Sequence, residues 1–464
     1  MNIALNSEDF LARLAAGLDA RGLVTDPADM APHLVDWRGL FRGEALAVVR
    51  PRTAQEVAGV VVACAQAGVG IVPQGGNTSL AGGSVPVGEG PQIVLSLSRL
   101  NAIRTVDGVG LLIEVEAGCV LQTAQQAAAA AGRLLPVSLG AEGTAEIGGI
   151  ISTNAGGINV LRYGMTRQLV LGLEVVLPDG TLINGLRHLR KDNAGYDWKQ
   201  IFIGSEGTLG LVTAAVLRLV PAPRHKVTAL LAVPSPEAAL ALLARAQEEI
   251  GDQVSAFELI CGLSFDLLAR NCSLNAPLAA APWMVLMQAD SCLSGIEEAM
   301  ESVLTGALEA GEATDGVVAA SETQARQLWA LREHITEAEQ REGPSVKHDV
   351  SVPIADMPAF LAEAEAEVAR ALPGCRANMF GHLGDGNIHF NVLIAQGTDK
   401  AAVNRTVHDV VAKYAGSISA EHGIGRYRAP ELAHYKPAAE LALMRRLKGA
   451  LDPEGLMNRG KVLG

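Results

Sequence analysis

The chain has 464 residues, 49% hydrophobic and only 4% aromatic, with a formal net charge of −13. That length accommodates two or three domains with cores of ordinary size. The acidic balance argues against a nucleic-acid or anionic-membrane surface but leaves room for a local basic pocket for an acidic substrate. The six cysteines, Cys64, Cys119, Cys261, Cys272, Cys292 and Cys375, form no C-x-x-C pair, so neither a zinc ribbon nor a cysteine-bound iron–sulfur centre is indicated. Their scatter through apolar segments reads as buried thiols in a reducing compartment. Met1–Asp9 lacks a basic and an apolar leader region, and no apolar run approaches a membrane span. The expectation is a cytoplasmic protein.

In chain order, residues 8–33 read as helices and Ala45–Arg50 as a strand. Thr53 and Glu56 have capping-box spacing and start a helix that runs to about Ala67. Gly70–Pro73 is a short strand feeding a first glycine cluster, Gln74–Ser84. Strands follow at Ile93–Leu97 and Leu112–Glu116, then an Ala-rich helix at Leu121–Ala131. A second glycine cluster spans Gly143–Gly157. Leu173–Leu177 and Thr181–Asn184, joined by Pro178-Asp179-Gly180, read as a hairpin, and Gly204–Gly210 leads into a strand. Pro221-Ala222-Pro223 marks a boundary.

Beyond it, strands at Val227–Val233, Val254–Ile260, Trp283–Gln288 and Gly316–Ala320 alternate with helices at Glu237–Ile250, Ser264–Asn271 and Gly295–Ala310. This predicts a helix-on-sheet layer with mostly antiparallel pairing. Helix Thr323–Gln340, strand His348–Pro353 and helix Met357–Leu372 complete it, followed by a terminal helical cap after about residue 416.

The glycine clusters carry cofactor chemistry. Gly-rich loops let backbone N–H groups approach phosphate oxygens. The first cluster has neither the G-x-G-x-x-G order of a Rossmann turn nor the Gly-Lys-Ser/Thr of a P-loop. Two clusters plus Gly204–Gly210, all before residue 222, suggest one extended cofactor gripped at several points.

His382-Leu383-Gly384-Asp385-Gly386-Asn387-Ile388-His389 holds an Asp-Gly pair between short apolar segments, which predicts a tight hairpin. With Asp385 and Gly386 as the loop, His382 faces His389, close enough for both imidazoles to reach one divalent metal. Asn391 shares their face. Glu421 and His422 follow thirty residues on. His382, His389 and Glu421 make a plausible metal shell, best suited to zinc, with manganese, iron or cobalt open. Two histidines on an ordinary surface hairpin are the plainer alternative. Arg332 and Thr336 are spaced i, i+4, and Lys347 lies on the approach to the next strand. A guanidinium, a hydroxyl and an ammonium suit a carboxylate; a solvated helix face with an i, i+4 polar pair is the plainer alternative.

Pro73–Pro86, Gly143–Gly164, Leu189–Gly210, His382–His389 and Ser419–Gly425 together resemble the flavin-dependent D-2-hydroxyacid dehydrogenases of the vanillyl-alcohol oxidase fold group. The D-2-hydroxyglutarate-oxidising branch is nearest, and the resemblance runs from Asp36 to about Leu463. It implies an α+β fold: a bipartite FAD-binding domain with an inserted α+β substrate (cap) domain and a C-terminal segment returning to the flavin. The corresponding boundaries are 1–222, 223–415 and 416–464. It also implies that Gly75, Gly76, Asn77, Thr78 and Ser79 cradle the pyrophosphate, and that Gly143, Thr144, Gly148, Thr153, Asn154 and Gly157 line the flavin's length. Glu206, Gly207 and Val212 would lie near the adenine or ribose. Asn77 occupies the neighbourhood where some relatives attach FAD through a histidine, and no His lies between residues 39 and 187, so the FAD is expected to be non-covalent.

By the same resemblance Arg332, Thr336 and Lys347 hold substrate carboxylate, and Asn391 lies beside them. His422 is the catalytic base that takes the C2 hydroxyl proton in a metal-assisted step, while the hydride goes to flavin N5; His348 and His434 are less suited competitors. The acceptor implied is an electron-transfer flavoprotein, and a homodimer is compatible. The rival readings are the same chemistry on D-lactate or glycolate, a non-redox flavin enzyme of the alkyl-glycerone-phosphate synthase type, and a non-catalytic FAD-binding electron-transfer subunit.

Overall fold

Helix Ala54–Ala67 starts where its capping residues dictate. In the computed structural model, which describes residues 6–88 and 90–464, Thr53 Oγ1 accepts from the Glu56 N–H at 3.1 Å. The Glu56 carboxylate reaches back to the Arg52 N–H at 2.6 Å, one residue before the cap itself. Val57, Val60, Val61 and Cys64 recur with helical spacing and are buried. Residues Met1–Leu5, on which part of the N-terminal reading rests, lie outside the described residues.

The chain divides into two units. The first gathers residues up to Gly156, Met165–Ala222 and Glu421–Gly464; the second holds Gly157–Gly164 and Pro223–Ala420.

In the first unit, Gly70–Gln74 and Val48–Val49 both pair in parallel with Gln92–Ser96, and Leu23–Val24 adds an antiparallel edge. Parallel neighbours need a crossover, and helix Ala54–Ala67 supplies one. A second, antiparallel sheet runs in the order Ile103–Asp107, Leu112–Glu116, Leu211–Arg218, Val170–Val176, Leu182–Gly185. Helices Leu121–Ala130 and Ile147–Thr153 bury Leu121, Ala124, Ile147, Ile150 and Ile151 with Ile113, Val115, Leu173 and Val175 of that sheet.

Three elements differ from expectation, the first being Leu23–Val24, a strand within residues 8–33 read as helices. Ile103–Asp107 is a partly exposed edge strand with little apolar alternation to announce it. Helix Ile147–Thr153 forms inside the second glycine cluster, where two glycines obscure the i, i+3, i+4 spacing of its three isoleucines.

The second unit is built on an eight-stranded antiparallel sheet. Its order is Asp315–Val318, His225–Val233, Trp283–Ser291, Val254–Cys261, Arg376–His382, Asn387–Leu393, Ser345–Val346, with Asp349–Ser351 also on Asn387–Leu393. Helices Gly262–Cys272, Glu322–Glu333 and Ile335–Glu342 cover one face. Their Leu267, Leu268, Leu328, Leu331, Ile335 and Ala338 pack with Leu230, Ile260, Met284, Leu286 and Phe380 of the sheet. The single helix expected over Thr323–Gln340 is therefore two, meeting at His334. The strand expected at His348–Pro353 is two short pieces flanking Lys347 and His348.

Candidate functional site

The first glycine loop leaves strand Gly70–Gln74 at its C-terminal end. A Cβ on Gly76 would lie 1.8 Å from the Thr144 carbonyl oxygen, so only glycine lets the two glycine clusters touch backbone to backbone. Asn77 takes a left-handed conformation, φ 52°. Its amide donates to Val35 O at 2.9 Å and to Pro32 O at 3.3 Å, and its Oδ1 accepts from Ser84 Oγ at 2.7 Å. Asn77 thus holds the loop's shape. Among the described residues, the backbone N–H groups of Gly75, Gly76, Asn77, Thr78 and Ser79 donate to no protein acceptor. A run of half-buried, unpaired backbone donors opening on two glycines fits a phosphate group.

Thr144 stands against this loop, while a Cβ on Gly143 would meet the Gln122 side chain at 3.7 Å; Gly148 N–H donates to Ala117 O at 2.7 Å, and Thr153 Oγ1 to Gly149 O at 3.0 Å. Asn154 is left-handed, and its Oδ1 accepts from Arg167 N–H at 2.9 Å. Gly157 falls in the second unit. Gly207 packs on Pro73, and Val212 is buried in the sheet core. Glu206 spends its carboxylate elsewhere, accepting from Ile424 N–H at 2.7 Å and Gly425 N–H at 2.8 Å. Burial raises its acid, against those two donors and Lys461. Its role in this unit is to clamp the segment that follows His422.

With Asn77 committed to its loop and no histidine in this unit's glycine clusters, acid precipitation is expected to release all flavin into the supernatant. Yellow colour retained in the washed pellet would contradict this.

In the second unit the histidine hairpin forms in a different register. Leu383–Asp385 is a 3₁₀ turn closed by Gly386 at φ 81°, and His389 pairs with Phe380 rather than His382. The shift is two residues, so His382 stays on the same face, one step along the diagonal. The two rings stand edge-on, 5.9 Å between centroids, and each offers a ring nitrogen within 4.8 Å of the other's.

Strand Val254–Cys261 then places Glu258 directly opposite His382. The wholly buried Glu258 carboxylate accepts from His382 Nδ1 with one oxygen and from Arg332 Nε, at 2.6 Å, with the other. Burial pushes the Glu258 acid up, but His382 and Arg332 outweigh it and hold the group well below the usual carboxylate range. His389 has Asp349 opposite it, with Nδ1 3.7 Å from Oδ1. A carboxylate on the Nδ1 side of each ring turns Nε2 outward, the usual support for a metal-ligating imidazole. The donor set thus fits a divalent cation.

Arg332 also lies over the Phe380 ring, 4.8 Å from its centroid. Among the described residues, its terminal nitrogens make no hydrogen bond. A second buried carboxylate, Glu339, collects Asn378 Nδ2 at 2.8 Å, Asn391 Nδ2 at 2.8 and 3.0 Å, and Lys347 Nζ at 3.8 Å. Burial raises the Glu339 acid; Asn378 and Lys347 oppose it. Thr336 is exposed. Glu421 follows Ala420, whose N–H donates to Asp349 O at 3.1 Å. His348 is buried, with Nδ1 2.9 Å from Phe390 O, and the His434 ring stacks edge-on against Tyr435.

Glu258 and Glu339 were not among the expected site residues. Each has a signal: Glu258 is the only acidic or basic residue in Val254–Cys261, and Glu339 sits four residues after Ile335 on the buried stripe of its helix.

Residues 45–185 match the FAD binding domain, and residues 222–462 match the C-terminal domain of FAD linked oxidases. The chain belongs to the FAD-linked oxidases. It is an FAD-dependent oxidoreductase acting on CH–OH groups. It is 40% identical over 463 residues to a mitochondrial D-2-hydroxyglutarate dehydrogenase from Bos taurus, covering 98% of this chain and 84% of the relative. It is 39% identical to a D-2-hydroxyglutarate dehydrogenase from Xanthomonas citri, covering 97% and 96%. Its fold is that of p-cresol methylhydroxylase, at 14% identity, TM-score 0.77, and 98% and 96% coverage. This agrees with the expected vanillyl-alcohol oxidase architecture.

The cytoplasmic expectation does not stand. The bovine relative is named mitochondrial, as are other eukaryotic relatives at 36–37% identity, while the bacterial one names no compartment. Of the six thiols expected to be buried, Cys64, Cys119 and Cys261 are, Cys272 and Cys375 are half-buried and Cys292 is exposed; free thiols fit a reducing compartment, which does not separate matrix from cytosol.

Proposed function

We propose that the chain oxidises D-2-hydroxyglutarate to 2-oxoglutarate and passes the electrons to an external acceptor, which the family resemblance makes an electron-transfer flavoprotein. The observation that carries this reading is the buried line Arg332–Glu258–His382 beside the Lys347–Glu339–Asn391 cluster in the second unit. It places two cations and a supported imidazole on one sheet face, which suits a substrate with two carboxylates and one hydroxyl. The terminal nitrogens of Arg332 remain for a carboxylate, and Lys347 gives a second positive point.

By the family resemblance His382, His389 and Glu421 would be the residues to hold a divalent cation, zinc by donor set. The pyrophosphate of FAD is held by Gly75–Ser79. FAD would supply the hydride acceptor and the cation would supply acidification of the C2 hydroxyl. His422 takes the hydroxyl proton on its imidazole, and Arg332, Thr336, Lys347 and Asn391 orient the acid. D-lactate and glycolate share the reacting carbon but have no distal carboxylate, so the same site handles them less well.

Two experiments follow. With an artificial dye as acceptor, D-2-hydroxyglutarate is expected to yield 2-oxoglutarate, and the L-enantiomer none; dye reduction by D-lactate alone would overturn the substrate assignment. Glu258→Gln removes the charge behind His382. It is expected to weaken zinc binding by about 10–100-fold while FAD absorbance survives. His382→Ala should lose the metal outright. Full metal occupancy in both variants would dismiss the hairpin as a metal site.

A further inference from the structure

We infer that Glu146 is a neutral hydrogen-bond donor to bound FAD at the crossing of the two glycine loops, an inference that rests on assigning those loops to the cofactor. Glu146 is the residue that opens helix Ile147–Thr153 and is 6% exposed. Among the described residues, its Oε2 has no hydrogen-bond partner. A Cβ on Gly75 would lie 3.4 Å from that oxygen and 3.3 Å from the Glu146 Cβ. The carboxyl is therefore packed directly against the loop whose backbone N–H groups are unpaired.

A buried carboxyl without a partner favours its uncharged form. Burial pushes the Glu146 acid up to about 8, with the Arg50 guanidinium pulling the other way. At neutral pH the group is an acid with an O–H to give. A carboxylate in that place would repel a pyrophosphate, whereas the acid can donate to an oxygen or nitrogen of the cofactor. The other charged or titratable groups facing it are Arg50 and Cys119. The Cys119 thiol is pushed up to about 11, first by its own burial, so it keeps its charge state near neutral pH. The sign follows: affinity for FAD is full while Glu146 holds its proton and falls as pH rises past about 8.

The test is titration of apoprotein with FAD between pH 6 and 9.5, read by quenching of flavin fluorescence, for the parent, E146Q and E146A, with the melting temperature of each apoprotein recorded. The parent Kd is expected to be flat to about pH 7.5 and then to climb toward tenfold per pH unit. E146Q keeps a neutral donor, so it should bind within about threefold of the parent at pH 7 and lose the rise. E146A should bind about tenfold more weakly throughout. Lys461, pushed down to about 8 by burial, titrates in the same window; a rise that survives unchanged in E146Q overturns the inference. Coincident profiles for all three proteins overturn it as well, as does a Kd loss in E146A equal to that in E146Q, which would mark a structural acid. A parent protein that takes up no FAD would remove the loop assignment, and the inference with it.

Discussion

Replacing His422 by alanine is expected to slow flavin reduction by about 10²–10⁴-fold, the usual contribution of a positioned base. The residue precedes a segment that is fixed within the first unit. Glu206 takes the N–H groups of Ile424 and Gly425, and Ala81 O takes those of Arg426, at 2.9 Å, and Tyr427, at 3.0 Å. The variant should keep its FAD, because the unpaired donors of the cradle lie at Gly75–Ser79. His422→Asn should keep a hydrogen bond to the substrate and recover affinity but not rate. Anaerobic stopped-flow absorbance separates the two effects. Reduction at the parent rate in His422→Ala would move proton removal to another group.

Arg332→Ala is expected to damage both the fold of the second unit and substrate selection. Its guanidinium is the partner of a carboxylate with 0% side-chain exposure, and removing it leaves Glu258 with His382 alone. Breaking a buried pair from one side typically costs about 3–5 kcal/mol, so a clear fall in melting temperature should accompany the loss of function. Losing a charge-assisted carboxylate contact adds about 1.5–3 kcal/mol, roughly tenfold to hundredfold in kcat/KM. The catalytic loss should be larger for D-2-hydroxyglutarate than for D-lactate, since only the former has a distal carboxylate. Arg332→Lys should not restore both roles, because one ammonium lacks the fork that bonds Glu258 and a ligand together. Equal losses on the two acids would place Arg332 on the carboxylate they share, and an unchanged melting temperature would deny its structural part.

Much of the second unit is legible in the sequence because its strands and helices alternate with clear apolar periods, from His225–Val233 through Ile296–Ala310. The hairpin is legible from Asp385-Gly386, but its register is not. Leu383, Gly384 and Asp385 coil into a 3₁₀ turn, a local choice that the Asp-Gly signal does not distinguish from a two-residue loop. A slip of two keeps every side chain on its face, so His382 and His389 still share one. The carboxylates behind the site are harder to read. Glu258 and Glu339 touch residues 74 to 124 and 8 to 52 positions away; sheet pairing brings His382 to Glu258, and packing of the two helices on the sheet brings Arg332 and Glu339 into place. The helix at Ile147–Thr153 is hidden for a different reason, because glycine's poor helix propensity outvotes three isoleucines until tertiary packing decides.

The most direct test of the account is single-turnover flavin reduction by a panel of D- and L-2-hydroxyacids, mixed anaerobically with the yellow holoenzyme. D-2-hydroxyglutarate should bleach the flavin fastest, D-lactate and glycolate more slowly, and the L-acids not at all. A flavin that stays oxidised with every D-2-hydroxyacid would contradict the account.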